Sequence, residues 1–181
     1  MRISRVVFAV FLLLFIYPGI VLHAAQKGTP AKVTALQNQK YADALLNGIR
    51  GAKREIVGCF FLFKVSPGKH GLPEKVVDEL IAARRRGVDV SIELEQEQGG
   101  KGSVYEQNRY AAQMLSSAGV TVRFDAPRTT THVKAMVVDG RYVYLGSHNL
   151  TQSALKYNNE LSVMIDSPDL AAEVLGYLDS L

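Results

Sequence analysis

Strands alternating with helices along the chain predict an α/β domain, with a mixed β-sheet flanked by helices on both faces. Two observations carry this. Segments with apolar residues at helical spacing are separated by short runs rich in β-branched and aromatic residues. Two of those runs flank Asp139-Gly140, a strong hairpin signal, so the sheet is mixed rather than purely parallel. The length bounds the answer: 181 residues, 48% hydrophobic and 21% charged, suit one globular domain that buries a core without staples.

The elements follow in order. Residues 33–36 suit a short strand. Residues 41–53 place Ala42, Leu45, Leu46 and Ile49 at helical spacing. Residues 55–63 form a buried strand, and Pro67-Gly68 marks a loop. Pro73 opens a helix whose apolar face is Val76, Val77, Leu80, Ile81 and Ala83, and Gly87 ends it. Residues 88–94 alternate like a strand, and 95–102 are a polar, Gly-rich loop. A helix over 103–118 puts Tyr110, Ala111, Met114 and Leu115 on one face and stops at Gly119. Residues 120–124, the hairpin arms 133–138 and 142–145, and 161–165 are strands. A short polar connection precedes Asn159-Glu160, and Pro168 starts the last helix.

The N-terminus stands apart. Arg2 and Arg5 precede an apolar run over 6–16, Pro18-Gly19 breaks it, and Ala24-Ala25 leads into polar Gln26-Lys27. That is the layout of a secretory signal. Residues 1–25 are assigned to it, 26–32 to a linker and 33–181 to the folded domain. A periplasmic or secreted product is expected. Cutting after Ala24 leaves Leu22 where a small residue is preferred, so an uncleaved inner-membrane anchor is the alternative. The formal net charge of +4 includes Arg2 and Arg5, so the mature chain is only mildly basic, which does not by itself establish a nucleic-acid partner. The single cysteine, Cys59, excludes an internal disulfide framework and reads as a buried, inert thiol. No Cys/His cluster has zinc-ligand spacing, and no metal or cofactor is expected.

The chemistry gathers near the hairpin. His132 and Lys134 are two apart, so in a strand both leave the same face. The return arm ends in Gly146-Ser147-His148-Asn149, where Ser147 and Asn149 share the same two-residue period, and Glu160 follows. Such a group suits a phosphodiester. Lys134 supplies a point charge, Ser147 and Asn149 donate to the non-bridging oxygens, and His132 attacks phosphorus. Glu160 is expected to accept from the other ring nitrogen of His132 and fix its tautomer. Asp139 heads the turn and is better read as structural.

The pattern His132-x-Lys134-x4-Asp139-x6-Gly146-Ser147-x-Asn149 resembles the signature of the phospholipase D superfamily. The resemblance implies a phospholipase D-like fold over 33–181. It also implies a covalent phosphohistidine on His132, Lys134 and Asn149 as phosphate ligands, Ser147 as the motif's serine and Glu160 as the residue that orients the histidine. With Asp139, these six form the candidate catalytic set. Many members carry two motifs and this chain has one. It is therefore similar to the small single-motif bacterial endonucleases, which implies a homodimer with a shared active site.

Other features have plainer readings. Arg84-Arg85-Arg86 falls in the last turn of a helix, where cations complement the dipole, in preference to a nucleic-acid stripe. The run Gly99-Gly100-Lys101-Gly102-Ser103 lacks phosphate-loop spacing, and Lys101 and Arg109 either line the groove or are solvated. His70 is read as a solvated loop histidine, with substrate contact as the alternative. His148 points away from Ser147 and Asn149 and receives no role. The expected activity is metal-independent phosphodiester hydrolysis. DNA or RNA is the first substrate class, because loops 96–103 and 126–131 are polar or small. Phospholipid headgroup hydrolysis is the second reading, and a non-catalytic nucleic-acid-binding module the third.

Overall fold

A computed structural model describes residues 28, 30–97, 100, 102–126 and 129–181. The expected signal segment and Lys101 lie outside them. Seven strands and five helices follow in the order β1 (Lys32–Gln37), α1 (Gln39–Gly51), β2 (Glu55–Phe60), α2 (Leu72–Arg85), β3 (Asp89–Leu94), α3 (Ser103–Ser117), β4 (Thr121–Phe124), β5 (Lys134–Val138), β6 (Tyr142–Gly146), α4 (Gln152–Lys156), β7 (Leu161–Asp166) and α5 (Pro168–Leu178). The strands form one sheet in the order β1-β7-β6-β5-β2-β3-β4. β2, β3 and β4 are parallel, and every other pairing is antiparallel. The sheet is mixed, as the hairpin requires.

Helices cover both faces. The larger core joins Leu45 and Ile49 of α1, Val76, Val77 and Leu80 of α2, and Leu115 of α3 to Ile56, Val90, Ile92, Leu94 and Met136 of the sheet. α5 covers the opposite face, where Ala171 packs with Val137 of β5 and Val143 of β6. On β3 and β4, register partners Glu93 and Arg123 pair at 3.2 Å.

Two elements differ from expectation. β2 ends at Phe60 rather than continuing to Phe63. Buried Asn108, from the middle of α3, takes over the backbone bonds that follow. Its Oδ1 accepts the Phe63 N–H at 2.7 Å, and its Nδ2 donates to the carbonyls of Phe61 and Glu95 at 2.8 Å each. The polar connection after the hairpin contains a short helix, α4, capped by Thr151 Oγ1, which accepts the Ala154 N–H at 3.1 Å. Arg84 and Arg86 do structural work, donating to the carbonyls of Gly119 and Ile49 at 2.8 Å.

Candidate active site

β5 opens with Lys134, and His132 lies on the segment that enters it. Phe61 packs under both: its ring centroid is 4.6 Å from that of His132, and the Lys134 ammonium sits 4.9 Å above it. His132 is exposed, and no protein hydrogen bond engages its ring among the described residues. Lys134 is 7% exposed, and its Nζ donates to the His132 carbonyl at 2.9 Å. Burial presses the Lys134 pKa below its ordinary value, with the Glu160 carboxylate working against that. Among the described residues Lys134 has one hydrogen bond and no ion pair, so its remaining N–H donors are free to meet an anionic group.

The segment bearing His132 is tied down from behind. The N–H of Thr131 donates to Glu95 Oε2, and that of Glu97 donates to Glu95 Oε1 at 2.7 Å. Glu95 is 2% exposed. Burial pushes its carboxyl above the ordinary range, opposed by the Thr131 N–H and reinforced by the neighbouring Asp125 carboxyl. Glu95, Asn108 and Phe61 shape the site yet carry no signature in the sequence. Their contacts join segments far apart in the chain, and only the apolar run over 55–63, which holds Phe61, was legible as structure.

Gly146 must be glycine. A Cβ there would lie 2.4 Å from the Ser162 Cα, so the residue lets β6 and β7 pair beside the site. Ser147 follows it, and here the geometry corrects the sequence. The Ser147 hydroxyl donates to Glu160 Oε2 at 2.5 Å and accepts the Leu161 N–H at 3.1 Å, so its proton is committed within the chain rather than aimed at a phosphate. Glu160 does not bond His132. Its second oxygen accepts from Asn158 Nδ2 at 3.0 Å. The cause is the strand pairing, which sets the end of β6 against the start of β7. Asn149 makes no side-chain hydrogen bond among the described residues, and its Oδ1 is buried and unpaired. Its amide remains available to a ligand.

Asp139 lies at the other end of β5, roughly 16 Å along the strand from Lys134. It stands away from His132 and holds the fold rather than joining the catalytic set. Oδ1 accepts the N–H groups of Lys53, Arg54 and Glu55 at 3.1, 2.8 and 3.2 Å, binding the α1–β2 connection to the hairpin turn. Burial works to raise its pKa, but those donors and the Arg54 charge prevail and hold it below the ordinary range. His148 is also structural. Fully buried, it stacks on Tyr41 at 4.3 Å. Its Nε2 donates to the Asn38 carbonyl at 3.0 Å, which leaves Nδ1 to accept from Ser162 Oγ at 2.7 Å. Burial lowers its pKa, against the Asn38 bond and Glu160. Asn38 in turn brackets Glu160, accepting its N–H at 2.9 Å and donating to its carbonyl at 3.0 Å. Cys59 is buried, and burial with Glu93, Asp125 and Glu95 nearby pushes its pKa up to about 12, an unreactive thiol. No three of the described His, Cys, Asp and Glu residues are grouped so as to hold a metal ion.

A histidine free to attack, a buried lysine beside it and an uncommitted amide on a mixed α/β sheet define a phosphodiesterase site. The family described as "Cardiolipin synthase, PLD-like domain" matches residues 45–181, and the chain belongs to it, within the phospholipase D superfamily. Nuc from Salmonella typhimurium, a phospholipase D family member, superposes with a TM-score of 0.69 at 27% identity, over 83% of this chain and 93% of that one. A mitochondrial cardiolipin hydrolase of Chlamydomonas reinhardtii is 29% identical over 60% of this chain and 46% of its own length. Cardiolipin synthase A of Pectobacterium atrosepticum is 31% identical over 62% of this chain and 24% of its own. The chain thus spans less than half the length of these two curated relatives.

Proposed function

We propose that the chain hydrolyses phosphodiesters of DNA or RNA as an exported, metal-independent endonuclease, through a phosphohistidine on His132. The observation that carries this is the pairing of an exposed His132 ring, unbonded among the described residues, with the buried Lys134 ammonium beside it. A ring nitrogen attacks phosphorus, and a P–N bond forms as the bond to the leaving oxygen breaks. That oxygen takes a proton from an imidazolium on the opposite side. Water then attacks phosphorus, the P–N bond breaks, and the second imidazole accepts the water's proton. Lys134 and Asn149 Nδ2 meet the charge that develops on the non-bridging oxygens. Among the described residues one histidine stands in this setting, so we assign the second to a partner copy.

A second reading has its own observation. An apolar groove of about 300 Å³ opens beside His132 and Lys134, lined by Val133, Leu145, Val174, Tyr177 and Leu178. It suits a lipid glycerol or acyl portion. The names of the curated relatives also favour phospholipid. The polar or small residues of loops 96–103 and 126–131 support nucleic acid instead.

Purified protein given plasmid DNA, RNA and phosphatidylcholine or cardiolipin vesicles, each with EDTA, decides between them. Nucleic-acid cleavage that persists in EDTA is expected. Activity abolished by EDTA and restored by magnesium sinks the metal-free mechanism, and turnover of lipid alone sinks the nuclease. Export has a separate check. Cell fractionation with N-terminal sequencing should find a periplasmic or secreted chain beginning near Ala25, and full-length protein in the cytoplasm would overturn it.

A further inference from the structure

We infer that a cavity adjoining the motif is a second phosphate subsite, which takes the neighbouring phosphate of a polynucleotide strand. This rests on the nucleic-acid reading above. The cavity, of about 390 Å³, is lined by Lys64, Lys69 and His70 and by the hydroxyl-bearing residues Ser66, Thr151 and Ser153. Two adjacent segments lead into it from the site. Phe61 lies under His132, Phe63 bridges Leu150 in parallel, and the Lys64 N–H donates to the Leu150 carbonyl at 2.9 Å. Asn149 and Thr151 are two residues apart, roughly 7 Å of extended chain. That is about the reach from one phosphate to the next along a stretched strand.

The cavity is built rather than incidental. Glu74 accepts the N–H of Ser66 at 2.7 Å and that of Gly71 at 2.9 Å, pinning both ends of the loop that carries Lys69 and His70. Gln152 Oε1 accepts the Leu72 N–H at 2.8 Å and locks that loop to α4. Glu74 is the one acid in the lining, and both its oxygens are occupied by loop backbone. Neither Lys64 nor Lys69 forms an ion pair among the described residues. Thr151 Oγ1 accepts the Ala154 N–H, which leaves its own proton to donate. Two unpaired ammoniums with hydroxyls beside them suit a phosphate, and their place suits one joined to the scissile phosphate through a single sugar.

The experiment compares the wild-type chain with Lys64→Ala/Lys69→Ala on bis(p-nitrophenyl) phosphate, which has one phosphodiester, and on a short single-stranded oligonucleotide. Cardiolipin vesicles, whose lipid also carries two phosphates, form the third arm. The oligonucleotide KM should rise on the order of tenfold more than that for the small diester, and the slope of log KM against log salt should fall by about 0.7 per lysine removed. Lys64→Arg/Lys69→Arg should restore both. Equal losses on the two substrates, or an oligonucleotide KM and salt slope that do not move, overturn the subsite. A selective loss on cardiolipin vesicles alone overturns the polynucleotide as its occupant. A wild type that turns over the small diester but no nucleic acid refutes the endonuclease reading itself, separately from the subsite.

Discussion

Lys134 is where the energetics of the site are most exposed to test. A buried ammonium with one hydrogen bond and a neighbouring ring costs stability in the free protein, and a bound phosphate offsets that cost. Lys134→Met keeps the volume and removes the charge. Its folding stability should equal or exceed wild type, while turnover of bis(p-nitrophenyl) phosphate falls on the order of 10²–10³-fold, about 3–4 kcal/mol of barrier. The charge also sets a pH limit. Because burial lowers the Lys134 pKa, wild-type activity should decline as pH rises through a value below that of an ordinary lysine. His132 is exposed, with its ring against Phe61, so His132→Ala should fold normally and lose turnover. Acid quench of the wild type during turnover should trap an acid-labile phosphate absent from that variant. A Lys134→Met protein with near-normal turnover, or no trapped phosphate, would reject the assigned chemistry.

At the scale of elements, Asp139 shows what the motif's aspartate is for. It joins the hairpin turn to the α1–β2 connection through three N–H donors, and so fixes the strand that presents Lys134 at its other end. Asp139→Asn exchanges one acceptor oxygen for a donor facing N–H groups, and should cost about 1–3 kcal/mol. Since the folded carboxyl titrates below its unfolded value, its stabilisation is complete above an unfolded pKa of about 3.9 and is lost as pH falls through the lowered folded value. Urea unfolding at neutral pH and near pH 3 should therefore show a gap between wild type and variant that narrows in acid. A gap that stays constant would mean the carboxylate charge is not what binds the turn. The hairpin, the alternation of His132 with Lys134 and the apolar helix faces were legible because they are periodic over neighbouring residues. Ser147–Glu160, Glu95–Thr131 and the Asn108 clamp were not, because each joins residues from different elements. The short helix α4 has too few residues to show a period, though Thr151 is a typical cap for it.

For the whole molecule, the proposed reaction asks for a second histidine, and none among the described residues of one chain stands opposite His132. His148 is buried in a stack with Tyr41, and His70 lines the neighbouring cavity. The surface near the motif is apolar in a way that suits a partner. Leu161, whose N–H bonds Ser147, is 60% exposed, and Tyr177, which lines the groove at His132, is 53% exposed. A two-fold axis there would set two copies of His132 across one phosphate, through an isologous contact, as the proposed mechanism requires. The consequence is countable. Wild-type and His132→Ala chains co-expressed in equal amounts pair at random, and only wild-type pairs contain both the attacking ring and the acid. Activity per total chain should fall to about one quarter of pure wild type for random pairing of this kind. A site complete within one chain gives about one half instead. Sedimentation at the assay concentration supplies the second reading, since a shared site requires dimers wherever there is turnover. A value of one half, or an active monomer, rejects the shared site and requires the leaving-group proton to come from water or from a residue of the same chain.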